Sequence, residues 1–425
     1  MQGSSPLQGA YNRRAMEANI GKFYVFQFFL NFQLWWPIWV IYLTETRGLS
    51  LAQVTLIDVP FWLCIIVLQI PAAAIADRWG RKPTLAAGAF ALSVAVTLFG
   101  LAPSFPLLLT SYLIWGVAMV LVTGPDSAFL YDSLRALGRE GEYQKLYGRA
   151  WGVIAFGGLA GTLAGAPIAA ATSLPFPIIV SGVIALGAVL TALTFHEPLT
   201  ELRAEAAHSY RAVIRDALGL VARQREVRYA VLFFGVMTVG SIAPIFFFQP
   251  FLVEHGVDLD VVGFWQTPAR IAGILGAVLA YRWAAALGER RLFTLMPAVT
   301  VASFLVLATV DSLWAMAAFP MLNLIAIATR PTVTDYLNRR VPTGQRATVI
   351  SLTNLVYSLV LVPTAPLLGA LADRASLSAP FLAGAVIVGV GAIVVLPLWF
   401  RLPEPQPAPA LAEASPAEAA MPRLD

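Results

Sequence analysis

The sequence contains little charge for its length. Of its 425 residues, 12% are Asp, Glu, Lys or Arg, while 58% are hydrophobic and the mean hydropathy is +0.74. A soluble domain carries about 25% charged residues. A chain with so few polar groups could not cover its own surface in water, so we expect the lipid bilayer to be its solvent and its partner.

Cysteine and histidine are also nearly absent. Cys64 is the single cysteine, which excludes a disulfide framework, and it lies in an apolar run where a buried thiol is expected. His196, His208 and His255 fall in loops or at the edges of apolar runs. Without a His or Cys pair inside the apolar runs, we expect neither an enzyme active site nor a metal site. No Gly-rich nucleotide-binding loop with a Lys occurs, so we expect no cofactor and no step driven by ATP.

Long apolar runs occupy most of the chain. A membrane helix needs about 20 mainly apolar residues, whereas a barrel strand alternates over about ten. The runs therefore predict an all-α polytopic membrane protein with twelve helices. Spans 1–6 are predicted at residues 20–43, 52–75, 84–102, 105–125, 150–171 and 174–195, and spans 7–12 at 229–251, 261–285, 292–310, 313–334, 347–371 and 378–400.

A polar loop divides these spans into two sets of six. The division predicts a cytoplasmic segment at 1–19, an N-terminal six-helix bundle at 20–195, a cytoplasmic central loop at 196–228 and a C-terminal six-helix bundle at 229–400. Repeated Pro, Ala and Glu predict a disordered cytoplasmic tail at 401–425.

Basic residues mark one side of the membrane. With the N-terminus inside, 24 of the 28 Lys and Arg residues fall in the terminal segments, the central loop and loops 2–3, 4–5, 8–9 and 10–11. Because cytoplasmic loops are enriched in Lys and Arg, this bias predicts a multi-pass protein of the inner (plasma) membrane with both termini in the cytoplasm. The same residues are spread rather than clustered, so the net charge of +4 does not indicate nucleic-acid binding.

The loop between spans 2 and 3 carries the most specific motif. Residues 73–82 read AAIADRWGRK. This stretch resembles the loop 2–3 signature of the major facilitator superfamily, G-x-x-x-D-R-x-G-R-[RK], with Ala73 in place of the first Gly. The superfamily includes bacterial multidrug efflux proteins, which this chain resembles. The resemblance implies two pseudo-symmetric six-helix bundles and secondary transport by alternating access. We expect a monomer that uses the proton gradient and no cofactor.

The resemblance also implies a conformational latch on the cytoplasmic side. In the family, the motif Asp approaches the start of helix 11, here near Ala347, and a motif Arg pairs with an acid at the end of helix 4, here Asp132. The latch would hold the halves together in the outward-open state. Positive-inside anchoring alone is the alternative, but it does not explain the Asp or the Gly. The predicted latch residues are Asp77, Arg78, Gly80, Arg81 and Asp132.

A weak internal repeat supports the division into halves. Asp132-Ser133-Leu134 and a later Arg-Ala pair recur as Asp335-Tyr336-Leu337 and a second Arg-Ala pair, although chance similarity is an alternative. The equivalent of the loop 2–3 motif in the second half is decayed: Gly288-Glu289-Arg290-Arg291 keeps a Gly and a basic pair, but no Asp lies three residues before that Gly. A further look-alike at 369–374 lacks the Gly-Arg continuation and is predicted to face outside. The repeat aligns Asp126 with Thr329, the neighbour of Arg330, so we hypothesise an ion pair between Asp126 and Arg330 across the inner gate in the outward-open state. Direct contact of either residue with substrate is the alternative.

Polar residues inside the spans are the candidates for substrate binding and coupling, because such residues are costly in a bilayer. They could face one chamber between the halves, with Trp35, Trp36, Trp115 and Phe246–Phe248 as aromatic walls. Helix–helix hydrogen bonding or ion pairing is the structural alternative, and lipid contact is the alternative for the aromatic residues. The candidates are Gln27, Asn31, Gln33, Asp58, Asp126, Gln266, Arg270, Asn323, Arg330, Asn354 and Tyr357.

Proton coupling requires a buried carboxyl group, and Asp58 and Asp126 are the acidic residues well inside the spans. The span 5 glycine motif of family antiporters is degenerate here, and Tyr112 occupies the place of an Arg found early in helix 4 of many drug antiporters. We nevertheless expect export of a small amphipathic compound in exchange for protons. The alternatives are an importer of a small anionic metabolite, indicated by Arg270 and Arg330, and a transport-inactive membrane sensor.

We predict that Asp77→Asn slows transport without preventing membrane insertion, because the latch would lose its charge while the fold keeps its hydrophobic spans. Transport rate and the yield of folded protein in the membrane measure the two effects separately. Wild-type transport by a well-folded Asp77→Asn protein would contradict the latch.

Overall fold

The computed structural model describes residues 6–198, 219–341 and 346–402 together with Arg215; within these ranges the side chains of 6–12, 69–70, 72–74 and 346–351 lie outside the description. The described part is helical and contains no strand. Most of the predicted central loop and the predicted disordered tail lie outside the described residues. The predicted N-terminal segment is already helical from Pro6 onward.

Sixteen α-helices build the described part of the fold. In the first half they are α1 Pro6–Asn31, α2 Trp39–Ile41, α3 Leu51–Leu56, α4 Val59–Trp79, α5 Arg81–Leu101, α6 Phe105–Val122, α7 Pro125–Ala136, α8 Tyr143–Ala171 and α9 Pro175–Leu193. In the second half they are α10 Arg225–Thr238, α11 Phe248–Glu254, α12 Val262–Leu287, α13 Glu289–Thr309, α14 Ala318–Asn338, α15 Arg346–Arg374 and α16 Ser378–Phe400.

Eleven stretches of the described chain are long and apolar enough to cross a membrane, and they correspond to predicted spans 2–12. The remaining predicted span, span 1 at 20–43, is not a continuous helix. Helix α1 ends at Asn31, and an irregular stretch at 32–38 precedes α2. Pro37 lies in this stretch and cannot donate a backbone hydrogen bond, so it disfavours a helix here. The architecture is compatible with twelve spans.

Three other spans are also interrupted. Span 2 is divided between α3 and α4 at Ile57–Asp58, and span 4 between α6 and α7 at Gly124, whose φ of 102° favours glycine. Span 7 passes from α10 to α11 through a 3₁₀ turn at Val239–Ser241 and a π turn at Ala243–Phe247. Each interruption exposes backbone polar groups that a bilayer cannot satisfy, so each must find partners within the protein.

The helices pack first within each half and then between halves. In the first half α5 packs on α6 and α9, and in the second half α12 packs on α14 and α13 on α16. The halves meet where α3 packs on α15 and α8 on α12. We call the side that holds the turn at Gly80 and the turn at Gly288 the basic side, and the other the opposite side; the Lys and Arg bias predicts that the basic side is cytoplasmic.

Glycines of α8 allow the broken span 1 to lie against this helix. A Cβ atom on Gly165 would lie 1.8 Å from the Leu34 carbonyl oxygen, and one on Gly161 would lie 2.5 Å from the Gln33 carbonyl oxygen. Both obstacles are backbone atoms, which cannot move aside as a side chain can. Gly161 and Gly165 of span 5 therefore allow the irregular stretch at 32–38, rather than a regular helix, to pack closely on α8.

We predict that Gly165→Ala lowers the free energy of unfolding by about 2 kcal/mol or more, since the added methyl group would overlap the span 1 backbone. Denaturant unfolding in detergent micelles measures the change. Gly152→Ala in the same helix is the matched control, because a Cβ atom there meets nothing within 4 Å. Equal stability of the two variants would show that span 1 does not pack here as described.

Candidate substrate chamber and gates

The interrupted spans carry several of the polar candidates. Asp58 lies at the interruption of span 2, Asp126 at that of span 4, and Gln33 in that of span 1. Ser241, which the sequence analysis did not select, lies at the interruption of span 7. Its position beside Gly240 and close to Pro244 is the local signal that could have revealed it. Discontinuous helices are a common feature of transporter binding sites.

Asp58 connects the two halves through an aromatic contact. The Trp62 indole Nε1 donates a hydrogen bond to Asp58 Oδ2 at 2.5 Å. The Trp62 ring lies 5.0 Å, centroid to centroid, from the Tyr357 ring of α15 in the other half. No cationic side chain among the described residues pairs with this carboxyl group. The group is therefore held by one donor and lies next to the interface between halves.

Tyr357 extends the contact into the second half. Its hydroxyl lies 3.3 Å from Ser241 Oγ, and the Arg330 guanidinium lies 5.5 Å from its ring centroid. The structure thus brings together Asp58, Tyr357 and Arg330, three of the predicted candidates.

Arg270 lies at the contact between α12 and the first half. Its guanidinium is 5.3 Å from the Trp36 ring centroid, and a Cβ atom on Gly158 would lie 3.8 Å from one of its terminal nitrogens. Arg270 Nε is buried without a hydrogen-bond partner, as is Gln266 Oε1 one turn earlier. Arg270 Nε is a donor and Gln266 Oε1 is an acceptor, and neither has a hydrogen-bond partner among the described residues.

A continuous series of ring contacts joins the two arginines, and we call it the aromatic arc. It comprises Trp36, Trp115, Phe61, Trp62 and Tyr357. Consecutive centroid distances are 6.4 Å, 4.6 Å, 5.1 Å and 5.0 Å. The arc runs through spans 1, 4, 2 and 11, so both halves contribute to one apolar wall.

Asp126 belongs to a separate polar cluster in the first half. Gln27 Nε2 donates to Asp126 Oδ2 at 2.9 Å, and the backbone N–H groups of Gly124 and Ser127 donate to Oδ1. Asn31 in turn donates to the carbonyl and side-chain oxygens of Gln27. The hypothesised ion pair between Asp126 and Arg330 is not formed here, and for an outward-open state it stays a prediction.

Several candidates have structural roles in the described fold. Asn323 donates to the Ala269 carbonyl at 2.6 Å and so joins α14 to α12. Gln33 donates to the Leu30 carbonyl and accepts from the Trp35 indole, which satisfies the break in span 1. Asn354 is half-buried on α15. Phe246, Phe247 and Phe248 are fully buried, so they form core rather than an accessible chamber wall.

The predicted latch residues lie together on the basic side. Arg81 is 2.9 Å from Asp77 and 3.6 Å from Asp132, so it joins the turn after span 2 to the end of span 4. Arg78 is exposed. The predicted contact of Asp77 with the start of span 11 involves side chains outside the described residues.

Glu197 is a latch neighbour that the sequence analysis missed. Its two carboxylate oxygens accept from the backbone N–H groups of Arg81 and Lys82 at 2.6 and 2.8 Å, at the beginning of α5. A carboxylate is favoured at a helix N-terminus, so Glu197 ties the end of span 6 to the start of span 3. Beside it, burial and the charges of Lys22 and Lys82 lower the pKa of the His196 imidazole.

The second half has a counterpart with exchanged charges. Gly288 precedes α13 with φ 74° and ψ 159°, as Gly80 precedes α5 with φ 99° and ψ 159°. Glu289, at the start of α13, is 2.8 Å from Arg340 and 3.3 Å from Arg339, beyond the end of α14. The acid and the base have changed places relative to Arg81 and Asp132. For this reason the second half does not keep the sequence of the loop 2–3 motif although it keeps the contact.

The opposite side is closed by two side chains. Between described residues, every hydrogen bond that joins the halves comes from Gln249 or Asp373. Asp373 accepts from the N–H groups of Leu51 and Ala52 at 2.8 Å each. Gln249 accepts from Val40 and Ile41 and donates to the Trp36 carbonyl across the break in span 1.

The sequence of this chain matches the model of a known protein family. The sequence model of the family described as Major Facilitator Superfamily matches residues 23–364 and 271–422. The chain belongs to the major facilitator superfamily. A curated relative from Bacillus subtilis (strain 168), the uncharacterized MFS-type transporter YxaM, is 20% identical over 386 residues, which are 87% of this chain and 91% of YxaM.

Solved structures of the superfamily share the fold. The nucleoside transporter NupG superimposes with a TM-score of 0.76 at 12% identity, covering 91% of this chain and 100% of NupG. A D-xylose-proton symporter superimposes with a TM-score of 0.71 at 14% identity, covering 92% and 98%. This member of the superfamily is therefore a membrane transporter whose fold these proteins share.

We predict that Asp373→Asn loosens the opposite side of this superfamily member. The amide hydrogens of residues 51–56 should exchange about tenfold faster, because a charged acceptor at the start of α3 is lost. Hydrogen–deuterium exchange with mass spectrometry measures this rate. Asp260→Asn, at an exposed position near the same end, is the control. Unchanged exchange in both variants would show that Asp373 does not hold the gate.

Proposed function

We propose that this transporter couples the movement of a small amphipathic compound to protons by alternating access. The observation that carries the proposal is Asp58. Its carboxyl group has a single hydrogen-bond donor, no cationic partner among the described residues, and an aromatic contact into the other half. Gain or loss of a proton at such a group changes the charge at the surface where the halves move against each other.

Asp58 is a better proton carrier than Asp126 because of its surroundings. Asp126 accepts from Gln27 and from two backbone N–H groups at the start of α7, so it is part of the helix architecture. Asp58 has only Trp62 to hold it. A proton can therefore arrive at or leave Asp58 without disturbing hydrogen bonds from backbone N–H groups such as those that Asp126 accepts.

The closed opposite side supports an inward-facing state. Gln249 and Asp373 join the halves there, while the carboxylate of Asp77 on the basic side is more than half exposed. In the proposed cycle the contacts of Asp373 break as the latch at Arg81 and Asp132 closes against the second half. The distribution of basic residues supports placement in the inner membrane with both termini in the cytoplasm.

Two directions of transport are compatible with this cycle. Export in exchange for protons follows from the resemblance to efflux proteins. Import of a small anionic metabolite is the second candidate, and it is favoured by Arg270 and Arg330, which have no carboxylate partner among the described residues. Protection of cells against added compounds would indicate export, and growth on a nutrient would indicate import.

We predict that Asp58→Asn removes the response of transport to a proton gradient by at least about tenfold, because the amide cannot exchange a proton at this site. The experiment compares a panel of toxic compounds and nutrients, nucleosides and D-xylose included, in an expressing strain and then in proteoliposomes with an imposed pH gradient. Asparagine keeps an acceptor for Trp62, so folding should be preserved.

Asp311→Asn is the control, since the carboxyl group at 311 is fully exposed. Gradient-driven transport that is equal in wild type and Asp58→Asn would refute the role of Asp58. If neither protein transports any compound of the panel, the result contradicts the proposal and favours the alternative of a transport-inactive membrane sensor.

A further inference from the structure

Four arginines of this protein differ in their contacts. Arg81 lies between two carboxylates, and Arg340 lies 2.8 Å from Glu289 and 3.5 Å from Glu226. Arg270 and Arg330, in contrast, have no ion-pair or hydrogen-bond partner among the described residues. Arg81 and Arg340 therefore have counter-charges on the basic side, whereas Arg270 and Arg330 at the chamber have none among the described residues.

An aromatic ring is the main contact of each chamber arginine. Trp36 lies under Arg270 and Tyr357 under Arg330. A ring face offsets only part of the cost of placing a cation in a medium of low polarity, so an uncompensated charge attracts an anion. At Arg270 the attraction is focused, because its Nε is buried and faces no acceptor of the protein.

Gln266 gives the same location a second unfilled polar group. Its Oε1 is a buried acceptor without a donor, one helical turn from Arg270. Buried polar atoms are normally paired, so two orphans one turn apart on α12 indicate a ligand with both an acceptor and a donor. A carboxylate or phosphate fits the guanidinium, and a hydroxyl or N–H group of the same ligand fits the amide oxygen.

The aromatic arc defines the rest of the ligand. Trp36 is both the ring beneath Arg270 and the first ring of the arc that continues through Trp115 and Phe61. An anion bound at Arg270 thus lies next to a wall of ring faces and edges, which favours a planar apolar body by stacking.

We infer that the transported compound is an organic anion, in which a carboxylate or phosphate binds Arg270 and a planar apolar body packs on the aromatic arc. The inference deepens the proposed function and rests on transport through this chamber. Because a bound anion repels an ionised carboxyl group, its binding would also favour the protonated form of Asp58. Anion and proton would then move in the same direction, which makes import the favoured direction.

The test is binding of four probes that share a naphthalene ring: 1-naphthoate, 1-naphthyl phosphate, 1-naphthamide and 1-naphthylmethylammonium. The full-length protein is purified in a neutral detergent without anionic lipid, and binding is measured by calorimetry and by thermal stabilisation. We expect at least one of the two anions to bind about tenfold or more tightly than the amide and the ammonium probe. The preferred anion distinguishes a carboxylate substrate from a phosphate substrate.

Variants of Arg270 connect the binding to this site. Arg270→Gln should lose the preference for the anion, and Arg270→Lys should keep it with about tenfold weaker binding, because lysine cannot form the planar two-point contact. Arg282→Gln is the matched control, since Arg282 lies over an aromatic ring as Arg270 does, here that of Tyr281, but near the basic end of α12. Should Arg270→Gln not fold, the Lys variant and the four probes still decide.

Equal binding of the amide or ammonium probe, absence of binding by both anions, or anion binding unchanged in the Arg270 variants would each overturn the inference. Binding in detergent needs neither a gradient nor transport. A failure here therefore leaves the role of Asp58 in proton coupling standing, and a failure of that role leaves an Arg270-dependent anion site standing.

Discussion

The hydrogen bonds that satisfy the broken span 1 are the contacts on which the rest of this structure depends. Backbone N–H and C=O groups cannot remain free in hydrocarbon, so the stretch at 32–38 must be held by other spans. Ser181 accepts from the Leu34 N–H, and Gln249 serves Val40, Ile41 and the Trp36 carbonyl. Because Gln249 belongs to the second half, part of the support for the break that places Trp36 next to Arg270 comes from across the interface between the halves.

Carboxylates at helix N-termini act at both sides of the membrane in this protein. Glu197 binds the first N–H groups of α5 within the first half, and Asp373 of the second half binds the first N–H groups of α3. In the proposed cycle the first contact joins spans that move together, whereas the second joins spans that separate. The same interaction therefore gives rigidity to a bundle in one place and a breakable gate in the other, and the difference lies only in which halves it connects.

Hydropathy predicted twelve membrane spans, and eleven of them correspond to stretches of the described chain that are long and apolar enough to cross a membrane, because hydropathy is a local signal. The resemblance carried by the motif at 73–82 implied that Arg78 or Arg81 pairs with Asp132, and Arg81 lies 3.6 Å from Asp132. The interruptions were not predicted, since their partners are distant: Ser181 is 147 residues from Leu34, and Gln249 is 209 residues from Val40. For the same reason Asn323 could not be recognised as a packing residue until Ala269 lay beside it.

Pairing of arginines follows position in the cycle rather than depth alone. Arg81, Arg339 and Arg340 belong to clusters on the basic side in which every cation lies near an acid, so each half can move there as a unit. Arg270 and Arg330 lie where the halves face each other, and a permanent acidic partner there would bind one half to the other or occupy the place of the substrate. In the proposed cycle, contact with aromatic rings rather than acids would allow the halves to separate at these two cations, and a bound anion would complete the charge balance when the chamber is loaded.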